Sequence, residues 1–379
     1  MAWKIPLSDI DIGEQEKQAV AAVLDSRWLT MGEVTTQFET AFSRMLGSKY
    51  AFAVSNGTAA LHIALCALGI GEGDEVICPS LTFVATSNAI LYAGATPVFA
   101  DIISSHRPTI SPDDITRKIT PRTRAIMVMH YGGYPCEMDD IIAIAERNNL
   151  KVIEDSAHAP MAEHNGRKLG TIGDAGCFSF FSNKNMTTGE GGIITCSNDA
   201  VAARLRLLRS HGMTTLTLQR HAGHAYTYDV VELGYNYRID EIRSAIGLVQ
   251  LSKLAANNER RRQIVKKYIS ALNGMPGVTI PFADYQGEPA CHLFPIVLSG
   301  AKISRDDFMV QMKQRGIQTS VHYQPIHLFS YYAGRFGFQR GMLPVTEAFG
   351  ANVVTLPLYA SLDDAQIAQV TEAVHSILG

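Results

Sequence analysis

Lys184 has the setting in this chain that best suits covalent chemistry. It follows the apolar run 178–181 and precedes the glycine-rich turn 189–192. A lysine that emerges from a buried strand loses part of its hydration, which lowers its pKa and makes its amine a usable nucleophile. The same pattern also fits a surface lysine in a hairpin loop. The glycine-rich turn is not a nucleotide-binding motif, because no helix is predicted to follow it.

A carboxylate pair lies at the end of an earlier predicted strand. Glu154 and Asp155 directly follow residues 151–153, and His158 comes three positions later. A carboxylate in this position suits a protonated ring nitrogen, because it would keep the ring charged and able to withdraw electrons. The alternative interpretation is that Asp155 caps a helix and that His158 is a capping or core histidine.

A third feature connects the predicted strand 50–54 to a predicted helix. Its sequence is Ser-Asn-Gly-Thr, and it ends at Thr58. The free N–H groups and the positive dipole end of a helix N-terminus suit a phosphate group. Gly57 lets the backbone approach such a ligand closely, and the Thr58 hydroxyl can donate a hydrogen bond. An ordinary helix cap formed by Asn56 or Thr58 explains the same residues.

A fourth feature, Gly-Tyr-Asn-Tyr-Arg at 234–238, precedes a helix that begins near Asp240. Asn236 and Arg238 could reach an anion, including one held by a neighbouring subunit. A turn with Asp240 as the helix cap is the alternative. Each feature is ambiguous alone. Their order is more specific: a phosphate cradle, then a carboxylate at a strand end, then a Ser-x-x-x-x-Lys segment that starts at Ser179.

Short apolar runs alternate with helical patterns over the first half of the chain, which predicts an α/β fold with a mainly parallel sheet covered on both faces. Open sheets of this kind bind ligands at the carboxyl ends of their strands. The predicted strands are 50–54, 75–78, 97–100, 124–129, 151–154, 175–180 and 192–195. The predicted helices between them include 58–68, 82–93 and 138–148.

The pattern changes after residue 238, where two long helices are predicted over 239–254 and 257–273. We predict a large cofactor-binding domain over residues 1–255, which includes the N-terminal helical segment, and a smaller α+β domain over residues 256–379. The basic run Arg260-Arg261-Arg262 is interpreted as a solvated helix face.

Composition excludes several classes of function. The chain has 379 residues, of which 46% are hydrophobic and 18% charged, as in ordinary globular proteins. A net charge of −3 gives no bulk attraction to nucleic acid or to an anionic membrane. The N-terminus has no apolar signal core, and the six cysteines are scattered without a CxxC pair. We expect a cytoplasmic protein with small-molecule partners, reduced cysteines and no metal site.

The chain resembles the sugar-nucleotide aminotransferases of the DegT/StrS type, which are pyridoxal-phosphate (PLP) enzymes of fold type I. The likeness runs from Ile5 to the C-terminal helix. It implies a mostly parallel seven-stranded sheet sandwiched by helices, a smaller C-terminal α+β domain, and a homodimer with active sites at the subunit interface. The segments that carry the resemblance are Gly57–His62, Glu154–Ala159, Ser179–Asn185, Gly189–Gly192 and Gly234–Arg238.

The resemblance implies a role for each matching residue. Lys184 is the Schiff-base lysine, and Asp155 is the partner of the ring nitrogen. His158 lies near the ring hydroxyl, where many relatives have Gln, and Phe83 stacks on the ring. The cofactor phosphate is held at the start of the helix predicted over 58–68. The residues of this chain that would contact it are Gly57, Thr58, Ala59 and Ser179, and Asn236 of the partner subunit would help to hold it. The segments that border the sugar site contain Trp28, Thr30, Arg238, His322, Tyr323 and His327.

The function implied is nucleotide-sugar biosynthesis: transfer of an amino group, from glutamate, onto a nucleotide-linked keto-sugar. An aminotransferase for a cyclic ketone, such as an inosose or the precursor of an aminated ring, is an alternative, as is a non-catalytic PLP-binding regulator. Sugar dehydratases of the same superfamily replace the lysine with histidine, so Lys184 argues against that activity. A nicotinamide dehydrogenase is disfavoured because residues 55–58 are not a GxGxxG turn.

Overall fold

The computed structural model describes residues 3–215 and 227–379. Within them, seven strands form one sheet: β1 Tyr50–Val54, β2 Glu75–Pro79, β3 Thr96–Ala100, β4 Thr123–Met129, β5 Lys151–Asp155, β8 Ala175–Ser179 and β9 Gly192–Cys196. Their order in the sheet is β1-β9-β8-β5-β4-β2-β3. Only β9 is antiparallel to its neighbours, so the predicted mostly parallel α/β sheet is confirmed. Two short pairs complete the strands: β6 Glu163–His164 with β7 Arg167–Lys168, and β10 Phe294–Val297 with β11 Val353–Leu356.

Helices cover both faces of the sheet, as predicted for a parallel sheet. Alternate residues of each strand point to opposite faces. In β4, Met127 packs with Ile63 of α3, whereas Ile126 packs with Ile141 of α6. The helices are α1 Glu14–Ser26, α2 Glu33–Leu46, α3 Gly57–Ala67, α4 Ala85–Tyr92, α5 Pro112–Lys118, α6 Met138–Arg147, α7 Asp199–Leu208, α8 Glu241–Leu272, α9 Arg305–Gln314, α10 Ser330–Phe336, α11 Pro344–Asn352 and α12 Asp364–Leu378.

The two long helices predicted after residue 238 are a single helix, α8. No glycine or proline interrupts it between residues 248 and 272, and Ala255-Ala256 at the expected break are strong helix formers. The proposed domain division at residue 255 therefore falls inside a continuous helix. The interpretation of the basic run as a solvated face is wrong for Arg261, which is buried and donates to the Leu358 carbonyl at 3.0 Å.

The C-terminal part packs the β10–β11 pair against α8 and α12, with Tyr268 and Val374 in one shared core. The N-terminal segment joins this part, because Ile5 N–H donates to the Gly316 carbonyl and Gln318 N–H donates to the Ile5 carbonyl. Within the described ranges, no helix has both the length and the apolar character needed to cross a bilayer.

Candidate active site

A cavity of about 610 Å³ lies at the carboxyl ends of the parallel strands, which is a usual size for a cofactor or small-molecule site. Its wall is built by the turns after β1, β2, β5 and β8 and by a C-terminal segment that contains His322 and Tyr323. The predicted residues that line it are Gly57, Thr58, Ala59, Phe83, Asp155, His158, Ser179, Lys184, His322 and Tyr323.

Lys184 forms part of the cavity wall in the turn after β8, where its N–H donates to the Phe181 carbonyl at 2.9 Å. Burial lowers the pKa of its amine to about 8, although the nearby Asp155 charge acts in the opposite direction. An amine with this pKa is partly neutral at physiological pH and can act as a nucleophile. The structure therefore places Lys184 in a chemically useful setting instead of in an exposed hairpin loop.

Asp155 is the last residue of β5 and is buried at the cavity wall. Thr86 Oγ1 donates to Asp155 Oδ2 at 2.7 Å, and Ala157 N–H donates to Oδ1 at 3.2 Å. Burial raises the pKa of this carboxyl, against the lowering effect of those two hydrogen bonds. A cation placed against Asp155 would stabilise its charged form, and a protonated ring nitrogen is such a cation.

Glu154 points away from the cavity and anchors the strand that carries Asp155. Its carboxylate, fully buried, accepts hydrogen bonds from His130 Nε2 at 3.0 Å and from Gly170 N–H at 2.7 Å. The Ile172 and Gly173 N–H groups donate to the other oxygen at 2.7 Å each. Sequence analysis did not assign Glu154 a separate role, although a charged residue inside an apolar strand signals a buried partner.

Three segments meet tightly at the start of α3. A Cβ atom on Gly57 would lie 2.8 Å from Ser179 Cβ, and one on Gly192 would lie 2.8 Å from Gly57 N. Asn56 caps the helix by accepting from Ala59 N–H at 2.8 Å, as the capping interpretation predicted. The first N–H groups of a helix have no partners within it. Gly57, Thr58 and Ser179 therefore form a close-packed cradle suited to a phosphate.

His158 is buried between two side chains from distant parts of the sequence. Its Nε2 lies 3.1 Å from the Tyr323 hydroxyl, and its ring centroid lies 4.3 Å from that of His292. Burial, with repulsion from Lys184, holds the pKa of His158 well below its ordinary value. Among the described residues, His158 Nδ1 has no hydrogen-bond partner. This orphaned nitrogen fits the polar substituent of a bound ring.

Two aromatic side chains complete the wall above Lys184. The ring centroids of Phe83 and Tyr323 are 6.2 Å apart, and Phe83 remains 57% exposed, with room for a planar ligand beside it. His322 hydrogen-bonds Thr355 Oγ1 through Nδ1 at 2.9 Å. Burial, with repulsion from Lys184, lowers the pKa of His322 to about 4.

Five predicted residues lie outside this cavity. Thr30 and Arg238 line a separate cavity of about 270 Å³, together with Arg206 and Arg209. Asn236 is exposed and its backbone pairs with Ser210. The remaining two are Trp28 and His327.

Trp28 lies against the start of α2, because a Cβ atom on Gly32 would come within 2.5 Å of Trp28 Nε1. His327 is buried and lies between Ser80 and Glu347. Residues that line the cavity but were not assigned to the site include Tyr92, Asn183 and Tyr237. Tyr237 belongs to the 234–238 segment, so that segment contributes to the cavity through a different residue from those predicted.

The donors in the cavity fit a phosphorylated pyridine aldehyde. Lys184 supplies an amine that can react with the aldehyde, and Asp155 supplies a carboxylate that can pair with the ring nitrogen. The cradle formed by Gly57, Thr58 and Ser179 provides a place for the phosphate. The orphaned His158 nitrogen supplies a partner for a ring substituent. Within residues 3–215 and 227–379, no three His, Cys, Asp or Glu side chains are grouped so as to hold a metal ion.

Comparison with known proteins gives matches along nearly the whole chain. The sequence profile of the DegT/DnrJ/EryC1/StrS aminotransferase family matches residues 10–375. The spore coat polysaccharide biosynthesis protein SpsC of Bacillus subtilis is 38% identical over 382 residues, which cover 100% of this chain and 97% of SpsC.

Two solved structures share the fold. DesV of S. venezuelae, solved in complex with a ketimine intermediate, is 35% identical with a TM-score of 0.88, and the match covers 96% of this chain and 94% of DesV. Spr1654 of Streptococcus pneumoniae, assigned as a sugar aminotransferase, is 30% identical in its PMP form, with a TM-score of 0.92 and 99% coverage of both chains. Spr1654 has also been solved in a PLP form.

The sheet order, the cavity at its carboxyl edge and these matches agree with one another. The fold is that of the fold type I PLP aminotransferases. The chain belongs to the DegT/DnrJ/EryC1/StrS aminotransferase family, and it is a transaminase.

Proposed function

We propose that this transaminase binds PLP through Lys184 and transfers an amino group from glutamate to a nucleotide-linked keto-sugar. The observation that carries the proposal is the presence of Lys184 and the buried carboxylate of Asp155 on the wall of one cavity. The names of SpsC and Spr1654 support a sugar as the amino acceptor.

The cavity residues assigned to the site then have defined tasks. When bound, PLP would supply an electron-withdrawing ring that stabilises negative charge on the carbon next to the transferred nitrogen. Lys184 Nζ would hold the cofactor covalently and, once freed by the amino donor, would accept the proton from the donor Cα. Asp155 would keep the proton on the ring nitrogen. The N-terminus of α3 and Ser179 would hold the phosphate, and Phe83 and His158 would orient the ring.

The proposal includes a homodimer with shared sites. Asn236 and Arg238 lie outside the cavity of their own chain, so we assign both to the site of the neighbouring subunit. Among the described residues, the Arg238 guanidinium has no ion-pair partner. Arg206 lines the same small cavity, as do Arg209 and the Glu39 carboxylate that pairs with it, so the cavity keeps an excess of positive charge. Guanidinium groups bind phosphate oxygens well. This positive charge favours a nucleotide-linked substrate over an uncharged ring ketone.

The test is to load the protein with pyridoxamine phosphate and to challenge it with nucleotide-linked 3-keto and 4-keto sugars and with an inosose. We expect at least one nucleotide-linked sugar to restore the yellow PLP form, and we expect glutamate to bleach that colour again. Lys184→Ala serves as the inactive control. Turnover of the inosose alone would replace the nucleotide-sugar proposal with the cyclic-ketone alternative, and the absence of bleaching by glutamate would remove glutamate as the donor.

A further inference from the structure

His327 is enclosed by two partners that occupy both of its ring nitrogens. Its Nδ1 lies 2.8 Å from Ser80 Oγ, and its Nε2 lies 3.1 Å from Glu347 Oε1. Burial lowers the pKa of His327, although Glu347 acts in the opposite direction, and this lowering favours the neutral imidazole. The carboxylate can only accept, so His327 Nε2 carries the proton, and Nδ1 accepts from the Ser80 hydroxyl.

The backbone of His327 strengthens this arrangement. Its N–H donates to Ser80 Oγ at 3.2 Å, and the neighbouring Ile326 N–H donates to the Ser80 carbonyl at 3.0 Å. Ser80, His327 and Glu347, here called the His327 clamp, are all buried. Serine, histidine and glutamate also form hydrolase triads, but a serine hydroxyl with no exposed surface cannot reach a substrate. The same burial argues against a direct contact between His327 and a sugar.

The clamp joins two segments of the wall of the Lys184 cavity. Ser80 follows β2 directly and lies three residues before Phe83, which lines the cavity. His327 lies four residues after Tyr323, which also lines the cavity and whose ring centroid is 6.2 Å from that of Phe83. The hydrogen bonds of the clamp therefore hold together two short segments that are about 240 positions apart in the sequence and that carry the contacting Phe83 and Tyr323 rings.

Helix α11 anchors the clamp to the large sheet. Glu347 lies on this helix, and Gly350, one turn later, packs so closely that its Cβ would lie 2.6 Å from Pro325 Cδ. The helix N-terminus is fixed by Asp101 at the end of β3, which accepts from Thr346 N–H at 2.7 Å and from Val345 N–H at 3.1 Å. Helix α11 is thus bound to the sheet at two places: at its start through Asp101, and at Ser80 through Glu347 and His327.

We propose that His327 is a positioning residue, which fixes the Phe83–Tyr323 aromatic pair and so sets the position of both rings on the wall of the Lys184 cavity. This inference rests on the proposed function only in that the cavity is assigned to the cofactor ring and the sugar. It differs from the role implied by resemblance, in which His327 borders the sugar directly.

The experiment compares variants that cut individual bonds of the clamp. Ser80→Ala removes the hydroxyl, and with it both hydrogen bonds that Ser80 Oγ makes with His327, at Nδ1 and at the backbone N–H. His327→Gln keeps an amide donor for Glu347 but has no acceptor at the Nδ1 position, so the bond it loses is one of the two that Ser80→Ala loses. Ser244→Ala is the matched control, because Ser244 is also fully buried and makes two hydrogen bonds, to Asp240 and Thr35, elsewhere in the fold.

Hydrogen–deuterium exchange is measured first, on protein without added cofactor. We expect exchange over residues 81–84 and 320–326 to rise about 2- to 10-fold in Ser80→Ala and in His327→Gln. The double variant should not rise above Ser80→Ala, since the bond lost in His327→Gln is already lost in Ser80→Ala. Ser244→Ala should leave both segments unchanged. Additive increases in exchange in the double variant, or unchanged exchange in both single variants, would refute the proposal that the clamp holds the two segments together.

Kinetics then separate positioning from substrate contact. Displacement of the Phe83 and Tyr323 rings should lower kcat in both half-reactions and weaken PLP binding in Ser80→Ala, although Ser80 does not touch the cavity. A rise only in the KM of the keto substrate, seen in His327→Gln and absent in Ser80→Ala, would make His327 a substrate contact and refute the proposal. Hydrogen–deuterium exchange needs neither cofactor nor substrate. It therefore tests the clamp even if the wild-type protein fails to bind PLP and the proposed function is wrong.

Discussion

Thr86 Oγ1 donates a 2.7 Å hydrogen bond to Asp155 Oδ2, and this bond joins α4 to the end of β5 beneath the cavity. Because the single Thr86 hydroxyl proton is donated to Asp155, the Thr82 hydroxyl, 2.7 Å away, donates to Thr86 Oγ1. The Asp155 carboxylate is thus oriented by a neutral hydroxyl and a backbone N–H, which leaves its charge available to a cationic ring nitrogen.

Replacing Thr86 with valine tests this arrangement, because valine has the same shape but cannot donate. A hydrogen bond to a charged group contributes about 1.5–3 kcal/mol, so the rate of the glutamate half-reaction should fall roughly 10- to 100-fold. Thr86→Ser keeps the hydroxyl and should stay within about 3-fold of wild type. Stopped-flow absorbance of the cofactor gives both rates. Equal rates in the valine and wild-type proteins would show that Asp155 needs no such support.

The lowered pKa of Lys184 predicts the pH dependence of cofactor uptake. The amine must be neutral to attack the aldehyde, so the rate of PLP capture should rise with pH and level off above a midpoint of about 8. Capture by free N-acetyl-lysine, measured in parallel, corrects for titration of the cofactor itself. A midpoint above 10 would mean that the lysine is fully hydrated and does not occupy the cavity wall.

Asp155→Asn should move that midpoint in a defined direction. The Asp155 charge raises the pKa of Lys184, so its removal should shift the uptake midpoint below the wild-type value. The same variant should lose most transaminase activity, because asparagine cannot hold a proton on the ring nitrogen. An upward shift, or near-normal turnover, would contradict the role assigned to Asp155.

Gly57→Ala tests the phosphate cradle. The new Cβ would lie 2.8 Å from Ser179 Cβ, so the turn must open by several tenths of an ångström. Overpacking of this kind costs about 1–3 kcal/mol, and we expect PLP to bind roughly 5- to 100-fold more weakly. Gly334→Ala is the control, since its Cβ would meet no atom within 4 Å. Titration of the cofactor-free proteins with PLP gives the affinities, and equal affinities would locate the phosphate elsewhere.

Glu154→Gln should weaken the fold beneath the site. Burial alone would raise the pKa of Glu154, but hydrogen bonds from His130 and from the Gly173 and Gly170 backbone lower it below its ordinary value. Its contribution to stability is therefore present above the unfolded-state pKa and is lost as pH falls through the folded value. The thermal midpoint should drop at pH 7, because glutamine replaces one acceptor oxygen with an NH₂ group that faces N–H donors, at a cost of about 1–3 kcal/mol for each donor left unpaired. The gap to wild type should narrow in acid. A constant gap at all pH values would mean that Glu154 carries no charge in the folded protein.

Residues at the ends of strands were within reach of sequence analysis. Asp155 and Ser179 follow apolar runs that must form buried strands, and the carboxyl ends of parallel strands meet at one edge of a sheet. Asn56 sits where an apolar strand gives way to a helical pattern, so its role as a cap was also predictable. The structure brings these residues to one cavity because the order of the sheet places β1, β5 and β8 close together.

Contacts between distant segments were not predictable in the same way. Nothing in the sequence near Thr86 indicates that its hydroxyl points at Asp155, 69 residues later. His327 shows the same limit, because its exposed or buried state depends on α11 and on Ser80. The break expected near residue 255 was an error of a different kind, since local helix propensity already favoured the continuous α8.

The central claim is that Lys184 carries the cofactor. The most direct test is to add PLP to the protein, reduce with borohydride, digest, and locate the modified residue by mass spectrometry. We expect one reduced phosphopyridoxyl group per chain, on Lys184, with irreversible loss of activity, and none on Lys184→Ala. A modified peptide that carries a different lysine, or no modification under conditions that reduce the yellow colour, would contradict the account.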